Sequence, residues 1–394
     1  MDKGKFLLSA LFLLPFLLVS CGDRFVGSVP GYIEPLDLRV VGAGTNFVFA
    51  FVSNENVKVY NFEKLVATFD RRAEFVTTKS EKLKVFQKIT GIFVSDNLSN
   101  YGFVGYRGAQ WLCIVGDNEF GLYTYVKGMT FSRDGSKFGF VYNIGGEVSN
   151  NTVLGGKYYV NVNGYDSGPY DDAMLPVFTT DNKVILVVKE LGFWKVKYDA
   201  FEYGNYENVI VPSNPVYEEK VIFLFKKGNR WYMNSTTNVF GNVVFFDFKN
   251  GNYLVGELGD KNRVVVKIGN LERGFRILGW YEGISKGAIT ENGNYYLVVQ
   301  NDGKETLIVN GDFFEGYQNI DRFVFSDDGR HWGVRYKKDG KFFVDVDGKE
   351  VWSGTLVDFA FDDEGVILTY LEKDKVLARN IRFDEIQKMK ESKH

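Results

Sequence analysis

The phrase Phe131-Ser132-Arg133-Asp134-Gly135 precedes an apolar run at 138–142, and it returns as Phe325-Ser326-Asp327-Asp328-Gly329 before a run at 331–336. A third copy, Phe361-Asp362-Asp363-Glu364-Gly365, leads into 366–371; looser copies begin at Asp247 and Ile289, and glycine-less ones near Val94, Phe178 and Val216. Successive starts advance by 37, 47, 38, 31, 42, 36 and 36 residues. A recurrence of this length confines the chain to solenoids and propellers, and about 40 residues of short strands is the size of a four-stranded propeller blade. The repeated segments alternate with period two and are rich in Val, Tyr and Phe, which excludes a helical solenoid.

A second phrase fixes the layout inside each unit. Val115-Gly116-Asp117, Val162-Asn163-Gly164, Val309-Asn310-Gly311 and Val346-Asp347-Gly348 each follow a strand pattern, 22, 33, 22 and 23 residues after the first phrase. Asn-Gly and Asp-Gly between strands are hairpin signals because both central positions need positive φ. The unit therefore reads as strand, Phe-Ser-x-Asp-Gly turn, strand, loop, strand, second turn, strand. An aromatic recurs shortly after the second turn, at Tyr170, Tyr317 and Trp352. The expectation is an all-β fold, a single closed propeller of four-stranded antiparallel blades over 38–382, with eight blades and seven as the alternative. Segments near 41, 94, 131, 178, 216, 247, 289, 325 and 361 are its candidates. The last, 361–383, has room for three strands, and an N-terminal strand at 32–40 is expected to complete it, since an open edge invites aggregation. Residues 383–394 read as a charged C-terminal tail, a short helix or a frayed end.

These residues resemble a family. Phe-Ser-x-Asp-Gly, an apolar strand, Gly-Lys-aromatic-aromatic-Val at 156–160 and 340–344, and Asn-Gly or Asp-Gly are similar to the WD40-like repeats of TolB-type bacterial periplasmic propellers. The resemblance is strong over 129–170 and 286–372 and weak over 175–285. It implies a propeller. It does not extend to the Tol machinery, whose separate leading domain has no counterpart here, and lipid-anchored propellers of the same repeat type fit better.

Lys3 and Lys5 precede fourteen apolar residues, 6–19, and then Ser20-Cys21-Gly22. That run suits a secretory signal and is too short for a membrane span of about twenty residues. Leu18-Val19-Ser20-Cys21 resembles the lipobox of bacterial lipoproteins, which implies a signal peptide at 1–20, lipidation of Cys21, a tether at 21–37, and a chain held on the envelope membrane facing the periplasm or the cell surface. Cys113 is then the last thiol, so an internal disulfide is excluded, and its apolar run makes it a packing residue.

Catalysis lacks its usual carriers. The chain holds two histidines, His331 and His394, and two cysteines. Zinc would need His and Cys ligands in numbers the chain does not supply, and the acidic positions lack the spacing of a helical calcium loop, so no metal or cofactor is expected. Gly283-Ile284-Ser285-Lys286-Gly287 has the form of a hydrolase elbow but no helix pattern after it, and it reads as a loop between blades. Basic and acidic residues, 47 and 50, are interleaved, which removes nucleic acid as a partner.

Binding remains. The repeat at 131–164 is about eleven residues longer than its siblings, an insertion around 144–156 that places Glu147, Ser149, Asn150, Asn151 and Thr152 on a projecting loop. Turn roles fall to Asp134, Gly135, Asn163, Gly164, Asn310, Gly311, Asp328, Gly329, Asp347 and Gly348. The expectation is a monomeric, non-catalytic module for a protein or glycan partner; the alternative is a propeller hydrolase or lyase acting on carbohydrate or peptide.

Overall fold

The structure is a computed structural model. It describes the backbone of the strands between Arg24 and Val94 and most of residues 93–389 in full; residues 1–23, 390–394 and short stretches at 29–33, 42–45, 54–55, 62–63, 71–74, 78–82, 86–87, 96–99, 150–151, 302, 355–356 and 373–374 lie outside the described residues. The signal segment and Cys21 fall in the first of these.

From residue 88 the chain lays down one antiparallel meander after another, over 88–123, 125–170, 172–206, 208–240, 242–281, 283–315 and 320–354. A six-stranded sheet over 34–85 precedes them. The final sheet runs Val357–Phe361, Gly365–Glu372, Lys375–Arg382, and its fourth strand is Arg24–Ser28 from the other end of the chain. The described residues thus form nine sheets of four or more strands, one more than the eight blades expected, plus a two-stranded hairpin of Val216–Tyr217 with Lys220–Val221.

Two expectations are corrected, and a third is narrowed. The strand completing the last sheet is Arg24–Ser28 and not 32–40; Glu34–Val41 instead opens the first sheet, so the stretch read as a tether holds one whole strand and the start of another. The segment near Val216 starts no sheet: its hairpin sits between Asn208–Ile210 and Leu224–Lys227, the first two strands of their sheet. The tail opens with a helix, Phe383–Gln387, whose Ile386 is buried on the last sheet.

At four sheet boundaries the aromatic that follows the second turn welds one sheet to the next. Tyr123 at the end of one sheet stacks on Tyr142 in the second strand of its successor, centroids 3.9 Å apart, and Tyr142 stacks on Tyr159 of the third strand at 5.3 Å. Tyr206, Phe225 and Tyr232 build the same sandwich; Tyr317 meets Tyr336 edge to face before Tyr336 stacks on Phe343, and Trp352 packs on Tyr370 with the Arg379 guanidinium near both rings. Burying each ring contributes about 2–3 kcal/mol, with more from ring geometry. Between the rings lie the alternate inward residues, Cys113 among them; burial pushes its thiol upward from the ordinary value.

The first strands are joined by cations. Each of six opening strands carries a bulge, as at Val126/Gly128, Ile284/Lys286 and Ile320/Arg322. A bulge re-aims the side chain beside it. There Lys127 reaches Asp172 and the Ala173 carbonyl, Lys286 the Ile320 carbonyl, and Arg322 Asp358, in each case on the opening strand of the next sheet.

Candidate functional site

Strands Phe138–Ser149 and Thr152–Val162 are twelve and eleven residues long and stay paired from Gly139↔Val162 to Ser149↔Thr152. Their neighbours stop earlier: Tyr125 is level with Asn143, and Tyr170 with Tyr158. Beyond those rungs the insertion is a two-stranded arm that leaves the sheet alone, with both edges open.

The exit is built from one asparagine and four glycines. Asn143, fully buried, accepts the Gly146 N–H at 3.1 Å and donates to the Gly155 carbonyl at 3.3 Å; the Gly145 N–H donates to Thr124 Oγ1 at 3.0 Å. Gly156 has φ +70°, and a Cβ there would sit 2.4 Å from the Gly146 nitrogen and 2.5 Å from Asn143 Oδ1, so only glycine fits. Below the arm, Lys157 pairs with Asp171 at 2.7 Å, and Asp171 also accepts the Gly192 N–H at 2.9 Å. The Lys157 ammonium, then the Gly192 N–H, hold the Asp171 carboxyl below the usual carboxylate range.

Of the residues expected on this loop, Glu147, Ser149 and Thr152 are exposed, while Asn150 and Asn151 lie outside the described residues. Cross-strand partners share a face, so Glu147, Leu154, Ser149 and Thr152 lie together and Val148 sits with Val153 on the other side. What sequence reasoning missed is the apolar part: Ile144, Val148 and Leu154 are 48%, 42% and 61% exposed, and Leu122, Leu191 and Phe193 stand exposed at the same end of the flanking sheets. The alternation in Glu-Val-Ser and Thr-Val-Leu was the available signal.

The expected turn residues gather at the opposite end. Ser132 Oγ donates to Asp134 Oδ1 at 2.7 Å, which also accepts the Ser136 N–H, while the Lys137 N–H donates back to Ser132 Oγ. Ser326 and Asp328 repeat this with Arg330 and His331. Gly135 and Gly329 have φ +68° and +70°, and Asn182, at φ 61°, takes that place where Thr179 and Asp181 form a glycine-less copy. Asn163, Asn310 and Asp347, each at positive φ before Gly164, Gly311 and Gly348, accept the N–H of Phe138, Tyr295 and Trp332. Neighbouring sheets are stitched through these turns, as when Asn182 donates to Asp134 Oδ2 at 2.7 Å. His331 stacks on Phe383 at 3.7 Å, with Nδ1 on Asp347, and so clamps the helix.

Buried carboxylates do occur. Asp358 receives Arg322 and lies 3.3 Å from Arg335, which forks onto Asp321 at 2.8 and 2.9 Å; Asp345 accepts the Tyr317 hydroxyl at 2.9 Å and that of Tyr336 at 3.4 Å. Ser285 lies in the strand Gly283–Ile289 and not in a loop as expected, its hydroxyl donating to the Val298 carbonyl. No group of three or more His, Cys, Asp or Glu suited to a metal ion occurs among the described residues, and no described helix is long and apolar enough to cross a membrane.

No protein-family model matches the chain, and no curated protein matches it. Among solved structures it is similar to a eukaryotic initiation factor, with 8% identity, 82% of this chain and 89% of that one covered, and a TM-score of 0.48. It is similar also to a prolyl endopeptidase, at 10% identity over 79% of this chain and 55% of that one, TM-score 0.40, so it spans about half of that enzyme's length. The Dos1 propeller aligns at 8% identity over 91% of this chain and 95% of the other, TM-score 0.41.

Proposed function

We propose that the chain is an exported lipoprotein, anchored through Cys21 to the bacterial cell envelope, whose nine sheets close into a propeller that holds a protein or glycan partner without catalysing a reaction on it. Closure is supported by the pairing of Arg24–Ser28 with Lys375–Arg382 and by Glu34–Val41 lying against Val357–Phe361. The observation that carries the binding reading is the arm: a glycine-pinned ribbon displaying Ile144, Val148 and Leu154 to solvent has no use in holding the sheet, and exposed apolar side chains on a rigid support mark contact sites. The non-catalytic reading is supported by Asp358 and Asp321, which are both committed to Arg335.

The test uses the chain from Gly22 onward, wild type and with 145–156 replaced by an Asn-Gly turn, each immobilised and exposed to a solubilised envelope fraction. Retention of a partner by the wild type and its loss in the truncated form are expected. Equal retention by both forms, or none by either, would sink the arm as the binding element. Turnover of an envelope glycan or peptide, abolished by one Asp→Asn change, would replace this reading by the hydrolase or lyase.

A further inference from the structure

The closing strand reveals which end of the molecule carries the anchor. Arg24 is level with Ala378 and Ser28 with Lys375, antiparallel to a strand whose last residue, Arg382, is level with Gly365 at the close of the Phe361–Gly365 turn. The chain therefore enters the last sheet from the end that bears the turns and leaves it toward the end that bears the arm. Cys21 lies only three positions before Arg24, about 10 Å at full extension.

That same turn-bearing end has a repeated surface feature. Tyr165, Phe201, Phe275 and Phe313 are each the first or second residue of the fourth strand of a different sheet, directly after its second turn, and they are 82%, 62%, 44% and 65% exposed. The opposite end displays mainly aliphatic side chains, Leu122, Ile144, Val148, Leu154 and Leu191, with two exposed rings, Phe193 and Trp280, among them. Tyr is favoured at the headgroup level of a bilayer, and exposed Phe rings insert at the boundary just beneath it.

We propose that the turn-bearing face rests on the lipid surface, with Tyr165, Phe201, Phe275 and Phe313 at its interface, and that the arm consequently stands on the far side, directed away from the membrane that holds Cys21. This rests on the lipid-anchor reading and adds an orientation to it. Two independent observations meet here: the short reach of the chain beyond Arg24, and the exposed rings at the end to which it leads. A strand of seven residues is about 23 Å long, and the six further residues of each arm strand, 144–149 and 152–157, add about 20 Å, which sets the scale of the separation.

The experiment uses the lipidated full chain on vesicles of phosphatidylethanolamine and phosphatidylglycerol containing a headgroup-attached quencher. A fluorophore is placed on Arg330→Cys, in a turn and 82% exposed, or on Ser149→Cys at the arm tip. Quenching at 330 several-fold above that at 149 is expected, and in Tyr165→Ser/Phe201→Ser/Phe313→Ser protein that excess should shrink while the protein stays vesicle-bound. Equal quenching at both sites, or stronger quenching at 149, overturns the orientation; an undiminished excess in the triple variant overturns the role of the rings. Cys21→Ser protein is expected in the supernatant. If it sediments like the wild type, the anchor reading fails, whatever the labels report.

Discussion

Asp358 shows how a buried charge is retained at single-residue scale. Its carboxylate is fully buried and faces Arg322 and Arg335, which come from the preceding sheet. Removing one member of such a cluster leaves the others desolvated, so Asp358→Asn should destabilise by about 3 kcal/mol in urea titration, whereas a loss near zero would show that Arg335 is satisfied by Asp321 alone. The turn carboxylates act in the opposite setting, exposed but ringed by donors. Hydrogen bonds from Ser132, then Ser136 and Asn182, hold the Asp134 carboxyl below the usual range, and the Ser326 hydroxyl, then the Arg330 N–H, do so for Asp328. A depressed folded-state pKa contributes stability above the unfolded value of about 3.9 that is lost as pH falls toward the folded one. Asp134→Asn/Asp328→Asn protein should therefore lose less of its urea midpoint between about pH 6 and pH 3 than the wild type; a parallel loss would disprove the coupling. Ser132 with Asp134 was legible in sequence because partners two residues apart dictate their own geometry. Arg322 with Asp358 was not, since 36 residues and a sheet boundary lie between them.

At the scale of elements, the hairpins were legible and the bulges were not. Asn-Gly and Asp-Gly impose positive φ by local sterics, so the turns at 163–164, 310–311 and 347–348 announce themselves. The bulges of the first strands fall at Val-Lys-Gly, Ile-Ser-Lys and Ile-Asp-Arg, which have no common residue pattern. They answer to the neighbouring sheet. The arm lay between these cases: its length was plain, but its departure from the sheet depends on Asn143 and on the close approach at Gly156. Gly156→Ala should misplace the arm at a cost on the order of 1–3 kcal/mol confined to it. Proteolysis between 144 and 157 should quicken and partner retention fall while the thermal midpoint of the sheets barely moves; an unchanged cleavage rate would mean the exit accommodates the methyl.

For the whole molecule, the repeat implied a series of sheets and the need for a closing strand, but not which strand closes it. The segment 32–40 reads more strongly as a strand than 24–28, yet it is used to open the first sheet, and the lesser segment completes the last. Sequence strength ranks strands and does not pair them. Deleting 24–28 uncovers the edge of Lys375–Arg382, and an unpaired edge recruits other chains. The deletion should lower the thermal midpoint by on the order of 5 °C and produce concentration-dependent association in sedimentation; an equally stable monomer would show that the last sheet stands on three strands.

The closing strand begins three residues after Cys21, so under the proposed anchoring the molecule has a mechanical polarity. With the chain held at Cys21 and a partner on the arm, as proposed, tension would enter along Arg24–Ser28, parallel to the strand, so its rungs to Lys375–Arg382 would resist together in shear instead of opening one at a time. Failure, when it came, would occur at that seam and leave the remaining sheets intact.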